Sequence, residues 1–256
     1  MKKLAITLIL AICLALPMGL AAATPAQAKL TPTVDLEVAF NSKYVWRGIV
    51  VVDDWVAQPS FTAGIGGFSF NAWADYMLTD ENGRQNEIDE IDLTADYTFE
   101  IKGFSIPVGV IRYTFPGSDL ADTTEFYAGV SYDWIVSPSV TIYKDVQESN
   151  GYYILGALDY SLDLPKLNDM IGWSLAVGAS IGYGSDDNND FYYGSDKSGF
   201  TDYAAYISLP FSIGEYVTLT PQVVFTGLVD GDIKDSMEPI QDDSNIYFGL
   251  VVGASF

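Results

Sequence analysis

The residues in this sequence that could best carry out chemistry are carboxylates that recur at even-numbered positions of one segment. Between positions 90 and 100 the acids are Glu90, Asp92, Asp96 and Glu100, and every odd-numbered residue is apolar or aromatic. Because side chains alternate across a strand, these acids project from a single face. Two of them, such as Asp92 and Asp96, could serve as a general acid and base. Acidic ladders more often serve solvation or ion selectivity, so we predict that the protein is not an enzyme.

The residue types that are missing narrow the chemistry further. The sequence contains no histidine, which excludes hydrolysis that depends on a histidine base, and its single cysteine is Cys13. The segment Asp186–Asp190 has the composition of a calcium loop. It lacks the alternating D-x-D-x-D-G spacing and the distal glutamate that such a loop needs. We therefore predict no catalytic residue, no metal site and no cofactor.

The N-terminal 28 residues predict a cleaved secretory signal peptide. Lys2 and Lys3 are followed by a largely apolar run, and Ala26-Gln27-Ala28 has the A-x-A form of a cleavage site. The formal charge is −22, and removal of residues 1–28 takes away two lysines and no acid, which gives −24. A chain this acidic repels the phosphates of nucleic acid, and we predict no nucleic-acid partner.

Residues 29–256 predict one domain of about twelve long strands with period-two alternation. The C-terminal segment Asn245–Phe256 shows the pattern clearly, since every second residue from Ile246 is apolar and the chain ends on an aromatic residue. Strands of about ten residues are long enough to cross a bilayer at a tilt, and closed bacterial barrels have an even number of strands. The predicted fold class is therefore all-β, a closed antiparallel transmembrane β-barrel.

The connections between these strands alternate between two kinds. Turns such as Gly66-Gly67 and Lys102-Gly103 are short, whereas six longer loops hold 20 of the 34 acidic residues. Transmembrane barrels sort their connections in this way, with short periplasmic turns and longer extracellular loops. We accordingly predict acidic extracellular loops and both termini in the periplasm.

The charge pattern also predicts which strand face meets lipid. A charged side chain on the lipid face at the bilayer midplane costs about 2–4 kcal/mol, so the acidic face must be the lumen. The first strand is predicted to run from Val34 to Arg47 with Trp46 on the lipid side, and a bulge near Val110–Ile111 would turn Arg112 inward. The predicted lumen residues are Glu37, Lys43, Arg47, Asp75, Asp92, Asp96, Glu100, Arg112, Glu125, Asp133, Asp159 and Asp202.

A short motif at the end of the first predicted strand resembles that of a known family. Residues 42–48, S-K-Y-V-W-R-G, resemble the S-x-Y-x-[FW]-R-G signature of the TorF-like family of outer-membrane porins. Tyr152-Tyr153 and the terminal Phe256 are also similar to that family, and the MltA-interacting barrel family is a weaker match. The resemblance implies a porin-like barrel in which Arg47 lies in the lumen or at its rim.

Two functions remain open from the sequence. The first is a porin in the outer membrane of a Gram-negative bacterium, a passive channel for small solutes that favours cations or neutral molecules, because an acidic lumen concentrates cations. The alternative is a plugged barrel with a structural or scaffolding role, in which the lumen acids pair with Arg47, Lys43 and Arg112. The predicted partners are outer-membrane lipid and lipopolysaccharide, the barrel assembly machinery and small solutes. The oligomeric state is left open.

Overall fold

The computed structural model describes residues 31–81 and 83–256. The predicted signal peptide, residues 1–28, lies outside the described residues. The strands in chain order are β1 (Pro32–Asn41), β2 (Tyr44–Trp46), β3 (Ile49–Val52), β4 (Val56–Ile65), β5 (Phe68–Met77), β6 (Ile88–Ile101), β7 (Phe104–Thr114), β8 (Thr123–Tyr132), β9 (Pro138–Asp145), β10 (Tyr152–Leu164), β11 (Ile171–Gly184), β12 (Gly199–Ser208), β13 (Phe211–Ile213), β14 (Val217–Leu228) and β15 (Ser244–Ser255). Two short helices, α1 (Asp186–Tyr193) and α2 (Gly231–Met237), lie in the loops.

The main sheet closes on itself into a barrel with twelve antiparallel strand positions. Each strand pairs with its neighbour in the chain, β10 pairs with β11, and β1 pairs with β15. The terminal strands meet through two backbone hydrogen bonds between Val34 and Phe256, of 3.1 and 2.9 Å. β12 and β13 form one strand position because Pro210 lies between them and lacks the N–H that a continuous ladder needs. The predicted closed twelve-stranded barrel is confirmed.

The barrel wall has the reverse of the polarity of a water-soluble protein. On β15 the outward side chains Ile246 and Phe248 are 53% and 54% exposed, whereas the inward Tyr247 and Val251 are 2% and 1% exposed. The same alternation holds on β6, where Leu93 is 41% exposed and Asp92 is 3% exposed. Hydrocarbon accepts an apolar outer surface, and barrel closure leaves no unpaired strand edge in the lipid. This is the architecture of an outer-membrane β-barrel.

The two ends of the barrel differ in their connections. At the short-turn end the strands are joined by residues 66–67, 102–103, 133–137, 165–170 and 214–216. At the long-loop end the connections are residues 42–55, 78–87, 115–122, 146–151, 185–198 and 229–243. Lys102 and Gly103 have φ of 52° and 85°, the left-handed pair that a two-residue hairpin turn requires. In the part of the chain that the structure describes, no helix is long and apolar enough to cross a membrane.

Three local expectations from the sequence differ from the structure. The first strand ends at Asn41, and the chain then forms the separate hairpin β2–β3. β7 pairs with β6 in unbroken register from Phe104 to Thr114, so the predicted bulge near Val110 is wrong. β8 ends at Tyr132, which leaves Asp133 exposed in a turn of the short-turn end. The ends of the first strand and of β8 were misjudged because apolar and polar residues also alternate in the turns and hairpins next to the strands. The bulge was misjudged because the inward residues Ile111 and Tyr113 are apolar or aromatic, which looks like a break in the alternation.

The outward belt leads to a testable prediction. We expect Leu158→Arg, on the outward face in the middle of β10, to destabilise the folded barrel by about 2–4 kcal/mol, because it places a charge in hydrocarbon. Tyr152→Arg is the matched control, since it is on the same face of the same strand but at its long-loop end, where the expected cost is about 0–1 kcal/mol. Urea unfolding in lipid vesicles, followed by heat-modifiable gel mobility, measures both. Equal costs at the two positions would contradict the membrane orientation.

Candidate functional site

The hairpin β2–β3 folds into the long-loop end of the barrel instead of extending its wall. We call residues 44–52 the lumen hairpin. Tyr44 and Val52 are 9% and 0% exposed and form a buried cluster with Val56 of β4 and Met77 of β5. Tyr44 also contacts Trp73 with ring centroids 5.5 Å apart. These contacts with the inner wall place the tip of the hairpin, Arg47 and Gly48, within the barrel.

The tip of the lumen hairpin is a tight turn that requires glycine at its second position. Arg47 and Gly48 have φ of 48° and 79°, so both adopt the left-handed conformation. A Cβ atom on Gly48 would lie 2.7 Å from Cβ of Asp202 and 3.1 Å from Cδ2 of Leu228. Glycine therefore allows both the turn and its close approach to β12 and β14.

Arg47 makes a bidentate ion pair with Glu125 of β8. Its Nη1 and Nη2 donate to the two carboxylate oxygens of Glu125 at 2.8 and 2.7 Å. Both side chains are only 2% exposed, and Tyr113 of β7 donates a further hydrogen bond of 2.9 Å to Glu125. A buried pair with this geometry is costly to break, because either partner alone would be an uncompensated buried charge. The pair therefore holds the tip of the lumen hairpin against the wall.

Aromatic rings enclose the guanidinium of Arg47. Its Cζ lies 4.1 Å from the ring centroid of Tyr153, 4.9 Å from that of Tyr143 and 4.4 Å from that of Trp46. Tyr143 and Tyr153 belong to the neighbouring strands β9 and β10 and face inward, so they line the wall on one side of Arg47. Desolvated cation–π contacts of this kind add to the ion pair and exclude water from it.

The loops above the lumen hairpin also hold it in place. Tyr193 of α1 donates a 2.8 Å hydrogen bond to the backbone oxygen of Arg47. Burial raises the pKa of Tyr193, and the nearby Asp202 raises it further, so the hydroxyl keeps the proton that it donates. Gln241 donates to the backbone oxygen of Gly48 and accepts from the backbone N–H of Val50, each at 2.8 Å. The hairpin is thus bound both to the wall and to the long loops.

A second polar group surrounds the base of the lumen hairpin. Tyr44 donates to Glu90 of β6 at 3.0 Å, and Gln58 of β4 donates to Asp75 of β5 at 3.0 Å. Asn41 donates to Gln58 at 2.8 Å, which extends the network to β1. Asp75 and Asp92 are 0% and 3% exposed. The long-loop half of the interior is therefore densely filled with hydrogen-bonded side chains.

The short-turn half of the barrel carries further inward acids. Asp159 of β10 accepts a 2.7 Å hydrogen bond from Tyr206 of β12, and Asp96 of β6 is half-buried. Glu37 of β1 is also on the inward face, and Glu100 lies near the end of β6, where it accepts from Ser105 at 3.0 Å. In the long-loop half, Asp202 of β12 accepts from Tyr153 at 3.0 Å next to Gly48 and completes the inward set.

Three of the predicted lumen residues lie elsewhere. Arg112 is on the outward face of β7, because the strand continues without a bulge, and its side chain is 37% exposed. Asp133 is exposed in a turn. Lys43 precedes the lumen hairpin and forms an ion pair with Asp53, whose side chain is 56% exposed. Trp46, predicted on the lipid side, lies instead inside the barrel, 6.3 Å from the ring of Tyr113.

Sequence reasoning missed the aromatic wall formed by Tyr113, Tyr143 and Tyr153. Each occupies an inward position of a strand, so strand parity already identifies it as an interior residue. Its contact with Arg47 depends on the path of the lumen hairpin, which parity does not describe. The sequence signal that could have predicted the hairpin is W-R-G followed by I-V-V-V. A two-residue turn in the left-handed conformation, followed by β-branched residues, favours a hairpin.

The interior leaves little open space around Arg47. A cavity of about 10 Å³ lies beside it, lined in part by Val45, Ser180, Asp202 and Val224. Within residues 31–81 and 83–256, no group of three or more acidic side chains is arranged to hold a metal ion. The arrangement can thus restrict passage through the barrel and present carboxylates to whatever enters it.

Comparison with known proteins supports the barrel architecture. The model of a family described as a bacterial protein of unknown function, Gcw_chp, matches residues 25–227. No curated protein sequence matches the chain. The solved structure of the KdgM porin in complex with disordered oligogalacturonate is similar with a TM-score of 0.50 at 10% identity, over 88% of this chain and 98% of that chain.

Two further porin structures have somewhat lower similarity. A second structure of the KdgM porin has a TM-score of 0.48 at 12% identity, over 88% of this chain and 98% of that one. The NanC porin in its rhombohedral crystal form also has a TM-score of 0.48 at 12% identity, over 87% and 98% of the respective chains. At these identities the likeness concerns the fold.

The ion pair at the tip of the lumen hairpin can be tested directly. We expect Arg47→Ala to weaken docking of the hairpin by about 3–5 kcal/mol, because it leaves Glu125 buried without its partner. Hydrogen exchange of the amides of residues 44–52 in the detergent-solubilised barrel should then be faster by about a hundredfold or more. Lys43→Ala, which removes a partly exposed ion pair beside the same hairpin, is the control and should change exchange little. Unchanged exchange in Arg47→Ala would contradict the role of the pair.

Proposed function

The chain belongs to the Gcw_chp family of bacterial proteins, and from that starting point we propose that it is a porin-like diffusion channel for small solutes in the outer membrane. The proposed pathway favours cations and neutral molecules. The observation that carries the proposal is the charge of the interior. Carboxylates face inward from β1, β5, β6, β8, β10 and β12, whereas the described strands of the wall have no inward-facing lysine or arginine.

The charge balance of the interior argues for cations over anions. Arg47, on the lumen hairpin, is neutralised by Glu125, so the remaining carboxylates dominate the potential along the lumen. In a narrow passage with low-dielectric walls, such a potential raises the local concentration of cations and repels anions. Galacturonate, the sugar acid of the ligand bound by the KdgM porin, is an anion, and we do not extend that ligand to this chain.

The lumen hairpin is the proposed constriction of the pathway. In the observed arrangement Arg47 and Glu125 meet across the long-loop half of the barrel and leave little free space beside them. Passage of a solute therefore requires the hairpin to move toward the long loops, which breaks a few specific contacts and leaves the backbone pairing of the wall intact. Residues 42–48, which resemble the TorF-like signature, include the tip and first strand of this hairpin, and we propose a role in permeation for Arg47.

The remaining sequence predictions fit this proposal. We propose that residues 1–28 direct export and that the barrel assembly machinery recognises the C-terminal strand, which ends on the exposed Phe256. The long loops are assigned to the extracellular side and the short turns to the periplasm, as is usual for these barrels. Enzymatic activity is not part of the proposal.

A plugged barrel with a scaffolding role is the second candidate. The observation in its favour is the close pairing of Arg47, which has both an ion pair and three aromatic contacts. A plug and a constriction differ in one property, namely whether loss of these contacts opens a path for solutes.

Conductance distinguishes the two candidates. We expect the double variant Arg47→Ala with Glu125→Gln to have a several-fold larger single-channel conductance in planar bilayers than the unmodified barrel, because it removes the pair without leaving a buried charge. Liposome swelling with small neutral sugars should increase in parallel. The control is Lys43→Ala, which should conduct as the unmodified barrel does. No conductance and no swelling in the double variant would favour the plugged barrel.

Ion preference provides an independent prediction. We expect Asp96→Asn with Asp159→Asn to lower the cation-to-anion permeability ratio by roughly twofold or more, because both acids face the lumen in the short-turn half. Reversal potentials across a KCl gradient measure this ratio. Asp169→Asn, in an exposed turn, serves as the control and should leave it nearly unchanged. Anion preference in the unmodified barrel would reject the proposal.

A further inference from the structure

The two basic residues within the described strands lie on the same part of the outer surface. They are Arg112 of β7 and Lys144 of β9, and each alternates with buried inward neighbours, Tyr113 for the first and Tyr143 for the second. Both are within three positions of the long-loop end of their strand. A single strand, β8, separates them, and Arg112 pairs with Thr124 whereas Lys144 pairs with Phe126. The two residues are therefore about two strand spacings apart across the sheet and two residues apart along it, ~12 Å in all.

The surroundings of the two cations indicate that both lie at the level of the lipid head groups. Exposed apolar side chains of the lipid-facing belt adjoin them on the outer face. Phe126, 55% exposed, lies directly across from Lys144 on β8, and Ile142, 44% exposed, lies below Lys144 on β9. Above them are loop residues that include Asp122 and Gln147. Outward cations at this boundary between belt and loops cost little folding free energy, and they attract anionic head groups.

Polar groups between the two cations complete the patch. Arg112 donates to Thr124 at 3.0 Å and to the side chain of Gln147, and Thr124 donates to Gln147 at 2.8 Å. Asp122 accepts from Arg112 at 2.9 Å in an ion pair, and because the two side chains are 37% and 42% exposed, solvent screens this pair. A guanidinium has five N–H donors and these contacts engage three, so Arg112 retains donors for a further acceptor. Lys144 donates to the backbone oxygen of Asn150 and is itself exposed.

We propose that Arg112 and Lys144 form a binding site for the phosphate groups of an outer-leaflet glycolipid. A planar guanidinium binds phosphate in a bidentate manner, and an ammonium adds a second charge. The net charge of the chain is −22, and its long loops are acidic, so the rest of this end repels an anionic lipid surface. The patch is outside the barrel, and the inference does not rest on the proposed channel function.

The test is a titration of the purified full-length barrel, in detergent, with bisphosphorylated lipid A, followed by native mass spectrometry. We expect Arg112→Gln with Lys144→Gln to bind about 25-fold more weakly, at about fivefold for each charge removed. The charge-retaining variant Arg112→Lys with Lys144→Arg should bind as the unmodified barrel does. Heat-modifiable gel mobility confirms that each variant is folded, and the charge-retaining variant keeps the test valid if the glutamine variant does not fold.

Two controls separate this site from general attraction and from free phosphate. Lys102→Gln with Lys166→Gln removes two exposed charges from the short-turn end and should not weaken binding. Lipid A without phosphates should bind the unmodified barrel about as weakly as bisphosphorylated lipid A binds the glutamine variant, and inorganic phosphate should not displace the phosphorylated lipid. The proposal is overturned by binding within twofold in the glutamine variant, by an equal loss in the Lys102 and Lys166 variant, or by full displacement by inorganic phosphate.

Discussion

Closure of β1 onto β15 is the constraint on which the whole structure depends. In hydrocarbon no water is available to satisfy an unpaired N–H or C=O group, so a sheet can cross the membrane only if every strand edge is paired. The hydrogen bonds between Val34 and Phe256 complete that pairing at the two ends of the chain. Once the ring is closed, each strand has one face toward lipid and one toward the interior. The polarity of every strand residue follows from that division.

Inside the closed ring, a polar interior is stable only where its charges are hydrated or paired. In the short-turn half, acids such as Asp96 and Glu100 are half-buried or exposed, which allows hydration. In the long-loop half, Glu125 is buried and is compensated by Arg47. The interior therefore changes along its axis from half-buried and exposed acids to a packed polar region. This gradient links the charge of the wall to the position of the lumen hairpin, so the proposed channel and its proposed constriction arise from the same fold.

The charges on the outer face of the strands are basic, whereas those on the inner face are acidic. Basic side chains in the strands are confined to Arg112 and Lys144 among the described residues, and both lie at the margin of the apolar belt. Arg112 was expected in the lumen, where it would have compensated the acids. Its outward position leaves Arg47 as the cation that faces them, which increases the importance of the lumen hairpin for the charge of the interior.

The amino-acid sequence by itself determined the class of the fold, the strand parity and the sign of the lumen charge. Alternation over ten or more residues, as in residues 90–100, leaves one arrangement that keeps carboxylates out of hydrocarbon, and this holds whatever the neighbouring strands are. Only the tertiary structure decided that residues 44–52 leave the wall and enter the barrel. That decision depends on partners distant in the chain, Glu125, Tyr153, Tyr193 and Gln241, whose contacts with the hairpin exist only after the ring has closed.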